Sequence, residues 1–161
     1  FAGEASTPEY SAAVEMLKAA CAINMTPSHN PADYAGIKFN PAYEIMADFD
    51  NHTAELAMDE FLSRKDLPTA IFCESDEMAF GVIKSVRKKG LRVPEDISVI
   101  GFDDHEFSAT MGLTTVAQPP RFLGQLAASQ ILAAIEKPES ALGKISVPTT
   151  LVIRESVLDI T

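Results

Sequence analysis

The sequence predicts an α/β protein built on a parallel β-sheet, and two observations support this fold class. Short apolar segments alternate along the chain with segments that have the apolar spacing of an amphipathic helix. The segments 69–73 and 97–102 are apolar at almost every position, which is typical of strands buried on both faces of a parallel sheet. An alternation of strands and helices then predicts helices on both faces of that sheet.

The individual elements follow from periodicity and from turn and capping residues. Predicted strands lie at 1–3 (the tail of a strand), 43–49, 69–73, 97–102, 113–117 and 147–154, and predicted helices at 10–22, 53–63, 76–89 and 121–136. The segment 26–41 contains three prolines and is predicted to be a loop. Ser75 is placed to cap the helix 76–89, and Gly90 is placed to end it.

Composition and charge limit the classes of function. The chain has 161 residues, 47% of them hydrophobic and 22% charged, as in one soluble globular domain. No apolar run approaches the roughly 20 residues of a membrane span, and no signal peptide is visible at the start of the sequence. A cytoplasmic protein is expected, which cysteines without disulfide or ligand spacing favour. The net charge of −10 argues against direct contact with nucleic acid phosphates. The basic cluster between Lys84 and Arg92 is interpreted as complementing the dipole of its helix. Because the chain does not begin with Met, we expect it to be part of a longer protein.

The sequence carries no pattern typical of a catalytic, cofactor or metal site. The motifs GxSxG, GxGxxG and HExxH and the phosphate-binding loop are absent, so we predict that the chain is not an enzyme and needs no cofactor. The cysteines, Cys21 and Cys73, lie in apolar segments without ligand spacing and are predicted to be reduced and buried. His29, His52 and His105 are scattered singly along the chain, and no metal site is predicted from them.

Polar and aromatic residues follow several predicted strands at their carboxyl ends, where ligands bind in parallel α/β sheets. Asp103 follows the segment 97–102, and its carboxylate suits a sugar diol, a ribose or a cationic group. Ser75 follows 69–73, and Phe49 offers a flat wall for a sugar ring or a base. Each residue also has a structural alternative: a turn aspartate, an N-cap serine and a core phenylalanine.

One long stretch resembles a known family. The segment PTAIFCESDEMAFGVIKSVRKKGLRVPEDISVIGFDD (68–104), followed by LTTVAQP (113–119), resembles the signature of LacI-family transcriptional regulators. The later segments RFLGQLAASQILAAIE and VPTTLVIRESV are similar to that family's closing helix and strand. This resemblance implies an effector-binding domain with a type I periplasmic-binding-protein-like fold. Residues 1–161 would then form part of that domain, mostly its Rossmann-like C-terminal lobe.

The resemblance also implies roles for individual residues. The effector-binding positions that it indicates are Asp103, Phe49, Ser75, Thr7, Glu9 and Gln118. The positions at the interface of a homodimer would be Met78, Val82, Val86, His105 and Phe107. Ala13 stands where the family has an arginine that pairs with the effector, which argues against a typical sugar or purine ligand.

The function that the resemblance implies is control of DNA binding by a small metabolite, a sugar or a nucleoside-like molecule, bound between two lobes. DNA would be contacted only through a helix-turn-helix headpiece outside this chain. The segment 119–140 is expected to pack on the N-terminal lobe, which is also outside the chain, or on a partner chain. The alternative is a periplasmic sugar-binding protein of a transport or chemotaxis system, which shares the two-lobed architecture.

Overall fold

The computed structural model describes residues 22–26, 43–137 and 145–158 of the chain. The described strands are β1 (Ala22–Thr26), β2 (Tyr43–Met46), β3 (Ala70–Cys73), β4 (Ser98–Asp103), β5 (Thr114–Ala117) and β6 (Thr150–Val152). The described helices are α1 (Asn51–Phe61), α2 (Asp76–Lys88) and α3 (Pro120–Glu136). The strands form one sheet in the order β2-β1-β3-β4-β5-β6, in which only β6 runs antiparallel to its neighbour. The predicted α/β fold with a parallel sheet is confirmed.

The two faces of the sheet are covered differently in the described residues. Alternate residues of the inner strands point to opposite faces, so that Ile71 and Val99 join α1 and α2 in one large apolar cluster. Phe72 and Ile100 join a small cluster on the other face. No residue of α3 is buried. The described helices α1 and α2 thus cover one face of the sheet, as predicted. The predicted helix 10–22 lies outside the described residues, except for its last residue.

Capping residues explain where α1 and α2 begin and end. The Asp50 side chain accepts hydrogen bonds from the backbone N–H groups of His52 (2.8 Å) and Thr53 (3.0 Å). This cap starts α1 two residues before the predicted start at Thr53. Ser75 caps α2 by accepting from the N–H of Met78 at 3.2 Å, and Gly90, at φ 79°, follows the end of the helix. Both predicted signals for α2 are confirmed.

Helices α1 and α2 approach each other very closely at Gly81. A Cβ atom built on Gly81 would lie 2.1 Å from the carbonyl oxygen of Asn51, so only glycine fits there. Around this contact, Lys84 pairs with Glu55 at 2.6 Å and Lys88 pairs with Asp59 at 2.5 Å. Two residues of the basic cluster thus bind acidic side chains of the neighbouring helix, which the dipole interpretation did not foresee.

The edge strands differ from the prediction. Strand β1 occupies 22–26, where the sequence indicated the end of a helix and the start of a loop, because its polar Asn24 and Thr26 hide the strand pattern. The last strand is shorter than predicted, ending at Val152. After it, Ser156 lies against the middle of the sheet: its carbonyl accepts from the N–H of Val99 and its hydroxyl from the N–H of Thr114, both at 2.8 Å.

Candidate functional site

The carboxyl ends of the parallel strands bring several of the predicted ligand residues to one edge of the sheet. Asp103, the last residue of β4, pairs in register with Ala117 of β5. Gln118 therefore follows directly beside it, and its Nε2 donates a hydrogen bond to Asp103 Oδ1 at 2.5 Å. Because a carboxylate has further lone pairs, the Asp103 side chain, which is exposed, can still accept hydrogen bonds from a ligand.

The backbone at Asp103 has an unusual conformation that sets the direction of its side chain. Asp103 has φ 111° and Asp104 has φ 56°, so two successive non-glycine residues lie in the left-handed region. Such conformations persist where the surrounding structure holds them, and they concentrate at functional sites. Burial raises the pKa of the Asp103 carboxyl above its ordinary value, the hydrogen bond from Gln118 lowers it, and the nearby charge of Asp76 raises it.

Arg154 holds the second residue of this turn. Its Nη2 donates to Asp104 Oδ1 and its Nη1 to the carbonyl of Leu113, both at 2.7 Å. The Asp104 carboxylate is thus paired within the protein, which leaves Asp103 as the carboxylate of this turn available to a ligand. Arg154 was not among the residues predicted from the sequence, where a lone arginine at the end of the predicted last strand was the only signal.

Asp76 is a second residue absent from the predicted site, because in the sequence it is merely the first residue of a helix. Its side chain is 1% exposed and accepts three hydrogen bonds: from the backbone N–H of His105 (2.7 Å) and from the hydroxyls of Ser108 (2.6 Å) and Thr115 (2.6 Å). A Cβ atom on Gly101 would lie 2.1 Å from Asp76 Oδ1. The glycine in an otherwise apolar strand was the available signal for this close approach.

The other predicted ligand residues have different surroundings. Ser75 is 4% exposed and its hydroxyl oxygen caps α2, so the structural alternative accounts for it. Phe49 is 65% exposed, so it is not a core phenylalanine. Thr7 and Glu9 lie outside the described residues. The effector-binding roles of all these residues, as of Asp103 and Gln118, stay predictions.

The predicted dimer interface needs correction. Met78, Val82 and Val86 are all 0% exposed, and they belong to the apolar cluster between α2 and the sheet. Their spacing of four residues marks the face of α2 that packs inward, so their side chains are not available to a partner chain.

His105 and Phe107 do lie at the surface. The His105 ring contacts Phe80 and Phe107, with ring centroids 5.9 Å and 5.3 Å away, and Phe107 is 57% exposed. A surface groove of about 390 Å³ lies next to Phe80, and its lining residues are Asn51, Phe80, Gly81, Ile83, Lys84, Arg87 and Met111. The surface beside α2 therefore combines the rings of Phe80, His105 and Phe107 with polar and charged side chains, through residues that are in part other than those predicted.

The remaining chemistry of the described residues is simple. Cys73 is a free thiol that is 0% exposed, and burial raises its pKa, in agreement with the predicted buried cysteine. Within the described ranges, the side chains of His, Cys, Asp and Glu do not gather in threes to hold a metal ion. Among the helices that the structure describes, none is long and apolar enough to cross a membrane.

Comparison with known proteins agrees with this architecture. Residues 11–157 match the family of the periplasmic binding protein-like domain. The probable HTH-type transcriptional repressor ExuR of Bacillus subtilis (strain 168) is 40% identical over 121 residues, which are 74% of this chain and 36% of that repressor. The chain thus corresponds to about a third of this relative.

Solved structures give the same result. The dimeric Lac repressor with an 11-residue C-terminal deletion superposes with a TM-score of 0.82 at 26% identity, covering 96% of this chain and 61% of the repressor chain. A LacI family transcriptional regulator from Enterococcus faecalis V583 with bound ribose gives a TM-score of 0.78 at 25% identity, covering 99% and 61%. The chain therefore belongs to the periplasmic binding protein-like domain family, in the form that LacI-family regulators carry as their effector-binding domain.

Proposed function

We propose that this chain is the ligand-sensing and dimerisation part of a LacI-type transcription regulator. A sugar or nucleoside-like metabolite binds in a cleft between this lobe and an N-terminal lobe, and it controls DNA binding by a helix-turn-helix headpiece; both of those parts lie outside the chain. The observation that carries the proposal is the exposed Asp103 carboxylate at the carboxyl edge of the sheet, held by Gln118 in a left-handed turn.

The chemistry of the cleft edge fits a neutral, hydroxyl-rich ligand. The free lone pairs of Asp103 accept hydrogen bonds from hydroxyl groups, and each bond to a charged acceptor contributes about 1.5–3 kcal/mol. The exposed ring of Phe49, which follows β2, supplies a face on which a sugar ring or a base stacks. Effector binding then shifts the population of lobe arrangements, which requires different affinities for the two states.

Replacing Asp103 by asparagine in the full regulator tests this function. The substitution keeps the size of the side chain and removes the charge, so we expect the effector concentration for half-maximal response to rise about tenfold or more. Operator binding is measured by fluorescence anisotropy against increasing ribose, then against other aldoses and nucleosides. Asp96→Asn is the matched control, because Asp96 is paired with Arg92 on the surface. An unchanged response of Asp103→Asn to the active effector would contradict the proposed site.

The exposed face of α3 supports the proposal that the segment 119–140 packs on another lobe or chain. Four large apolar side chains of this helix are more than half exposed: Phe122 (52%), Ile131 (58%), Leu132 (61%) and Ile135 (70%). Ile131, Leu132 and Ile135 lie within about one turn of the helix, and exposed groups of large apolar side chains mark interaction surfaces. In the full regulator the helix packs on the N-terminal lobe, and in the isolated chain we propose that a second copy covers it.

Analytical ultracentrifugation of the isolated 161-residue chain tests the role of this face. We expect association at micromolar concentration, and we expect a double replacement of Ile131 and Ile135 by serine to weaken it at least tenfold, because burial of each isoleucine side chain contributes about 1.5–3 kcal/mol. Ala127→Ser, an exposed change of small size on the same helix, serves as the control. A compact monomer at all concentrations would refute the proposal.

The other predicted properties are proposals that depend on the same relatives. Similarity to transcriptional repressors favours a regulator over the alternative of a periplasmic sugar-binding protein, and a sensor over an enzyme. A regulator that acts on DNA works in the cytoplasm, as we expect for this protein. Homodimerisation is proposed through the outward face of α2, with His105 and Phe107, in place of the three buried residues.

A further inference from the structure

We propose that Asp76 is a positioning residue: its buried carboxylate holds the turn that presents Asp103 to the effector cleft. This inference rests on the proposed function for the meaning of the cleft. The arrangement itself is a property of the protein without ligand, and can therefore be tested separately.

The carboxylate of Asp76 joins three separate parts of the chain. It accepts from the His105 N–H and the Ser108 hydroxyl through Oδ2, and from the Thr115 hydroxyl through Oδ1. Ser108 and Thr115 are both 0% exposed, so water does not compete for these hydrogen bonds. Hydrogen bonds to a charged acceptor in such surroundings are short and strong. The turn after β4 is therefore fixed to the start of α2 and to β5 by one side chain.

These hydrogen bonds act where the backbone needs support. Asp103 and Asp104 both have positive φ, and His105, the residue that follows them, donates its N–H to Asp76. The N–H of Asp104 points to Thr115 Oγ1 at 3.4 Å, and that hydroxyl in turn donates to Asp76. Without these anchors, the two aspartates would relax towards negative φ, and the Asp103 carboxylate would change direction.

The strand beside Asp76 leaves room for this carboxylate. Gly101 lies in the middle of β4, a buried strand in which a side chain would contribute packing. The Cβ of any other residue would lie 2.1 Å from Asp76 Oδ1 and 3.0 Å from a methyl group of Leu113. Because Gly101 has no side chain, the Asp76 carboxylate can lie beside β4 and reach the turn. The hydrogen bonds that hold the turn therefore depend on Gly101 as well as on Asp76.

Two substitutions remove donors to Asp76 without removing its charge. Ser108→Ala and Thr115→Val, made in the full regulator, each delete one buried hydroxyl that donates to the carboxylate. The matched control is Ser156→Ala, because Ser156 is a 4% exposed serine whose hydroxyl bonds the backbone of Thr114 and Val99 and donates no hydrogen bond to Asp76. Thr115→Ser keeps the donor and tests rescue.

The readout is the titration of the Asp103 carboxyl carbon by ¹³C NMR in the ligand-free protein. In the wild type, partial burial raises the pKa of Asp103 above its ordinary value, the hydrogen bond from Gln118 lowers it, and the charges of Asp76 and His105 raise and lower it, respectively. We expect the pKa of Asp103 to change in Ser108→Ala and Thr115→Val, because the reoriented carboxylate loses both the burial that raises its pKa and the hydrogen bond from Gln118 that lowers it. It should stay at its wild-type value in Ser156→Ala and return to that value in Thr115→Ser. An Asp103 titration that is the same in all variants would overturn the proposal.

Ribose binding, measured by calorimetry, separates this proposal from the proposed function. If Asp103→Asn weakens ribose binding tenfold or more, we expect Ser108→Ala to weaken it at least threefold, with Ser156→Ala unchanged; an unaffected Ser108→Ala would overturn the positioning role. If ribose does not bind, or binds Asp103→Asn as well as the wild type, the proposal of an Asp103 effector site for ribose fails. The positioning role is then decided by the NMR titration alone.

Discussion

Replacing Gly81 by alanine is expected to destabilise the chain by about 3 kcal/mol, the upper part of the range for overpacked cores. The new methyl group would lie 2.1 Å from the carbonyl oxygen of Asn51 and 3.0 Å from the backbone nitrogen of Glu55. Both are backbone atoms of α1, so no side chain can rotate away, and the two helices must separate. Separation would also lengthen the pairs Lys84–Glu55 and Lys88–Asp59. Urea denaturation followed by circular dichroism measures the change.

Gly124→Ala is the matched control for this prediction. Gly124 also lies within a helix, but a Cβ atom built on it would meet no other atom within 4 Å. Alanine should stabilise α3 there by roughly 0.5–1 kcal/mol, because glycine loses more backbone freedom on folding. Opposite signs at the two helical glycines would show that the contact with α1 causes the loss at Gly81. Equal changes in stability for Gly81→Ala and Gly124→Ala would show that helix propensity alone sets both effects, and would contradict the predicted clash with α1.

The second large effect is expected for Asp76→Ala. The substitution leaves the His105 N–H and two buried hydroxyls without their acceptor. A buried polar group that loses its partner costs about 1–3 kcal/mol, so a total loss of about 3 kcal/mol or more is expected. Thermal and urea unfolding measure it. The space that the Asp76 carboxylate leaves beside Gly101 contains no group that could replace the lost hydrogen-bond acceptor.

Asp96→Ala is the control for Asp76→Ala because the two carboxylates differ mainly in burial. Asp96 also accepts three hydrogen bonds, from the backbone N–H, Nε and Nη2 of Arg92, and this pairing lowers its pKa to about 2. The pair lies at the surface, however, where water replaces lost partners. We expect a much smaller shift in the unfolding midpoint than for Asp76→Ala. Comparable losses would mean that the buried network contributes no more than a surface pair.

The fold was predictable where one local signal dominated. Helix α2 has an N-cap serine, an apolar face and a terminal glycine, and all three indicated the same helix. Strand β3 is apolar throughout, and β4 is apolar from residue 99 to residue 102, as expected for inner strands. Strand β1 was missed because a short strand with alternating polar residues resembles the passage from a helix into a loop. Its pairing with β2 and β3, through contacts distant in sequence, defines it as a strand.

The site was predictable only in part, because tertiary packing sets the direction of a side chain and the extent of its burial. The position of Asp103 follows from the end of its strand, but its positive φ depends on Arg154, Gln118 and Asp76, which are distant in sequence. The family resemblance placed Met78 at an interface, whereas the helical periodicity alone would have placed it in the core. Helical spacing was the better guide at that position.

The position of Ser156 has a consequence for how the protein is made. Strand β4 lies inside the sheet, yet the N–H of its residue Val99 donates its hydrogen bond to the carbonyl of Ser156. The carbonyl of Gly112 in turn accepts hydrogen bonds from the N–H groups of Glu155 and Ser156. Ser156 follows Val99 by 57 residues in the sequence, so the ribosome synthesises it much later. During synthesis the backbone N–H of Val99 and the carbonyl of Gly112 therefore lack these partners. The sheet is complete only after the segment around Ser156 has left the ribosome. Until then, unpaired strand edges and exposed apolar surface make the incomplete chain prone to aggregation.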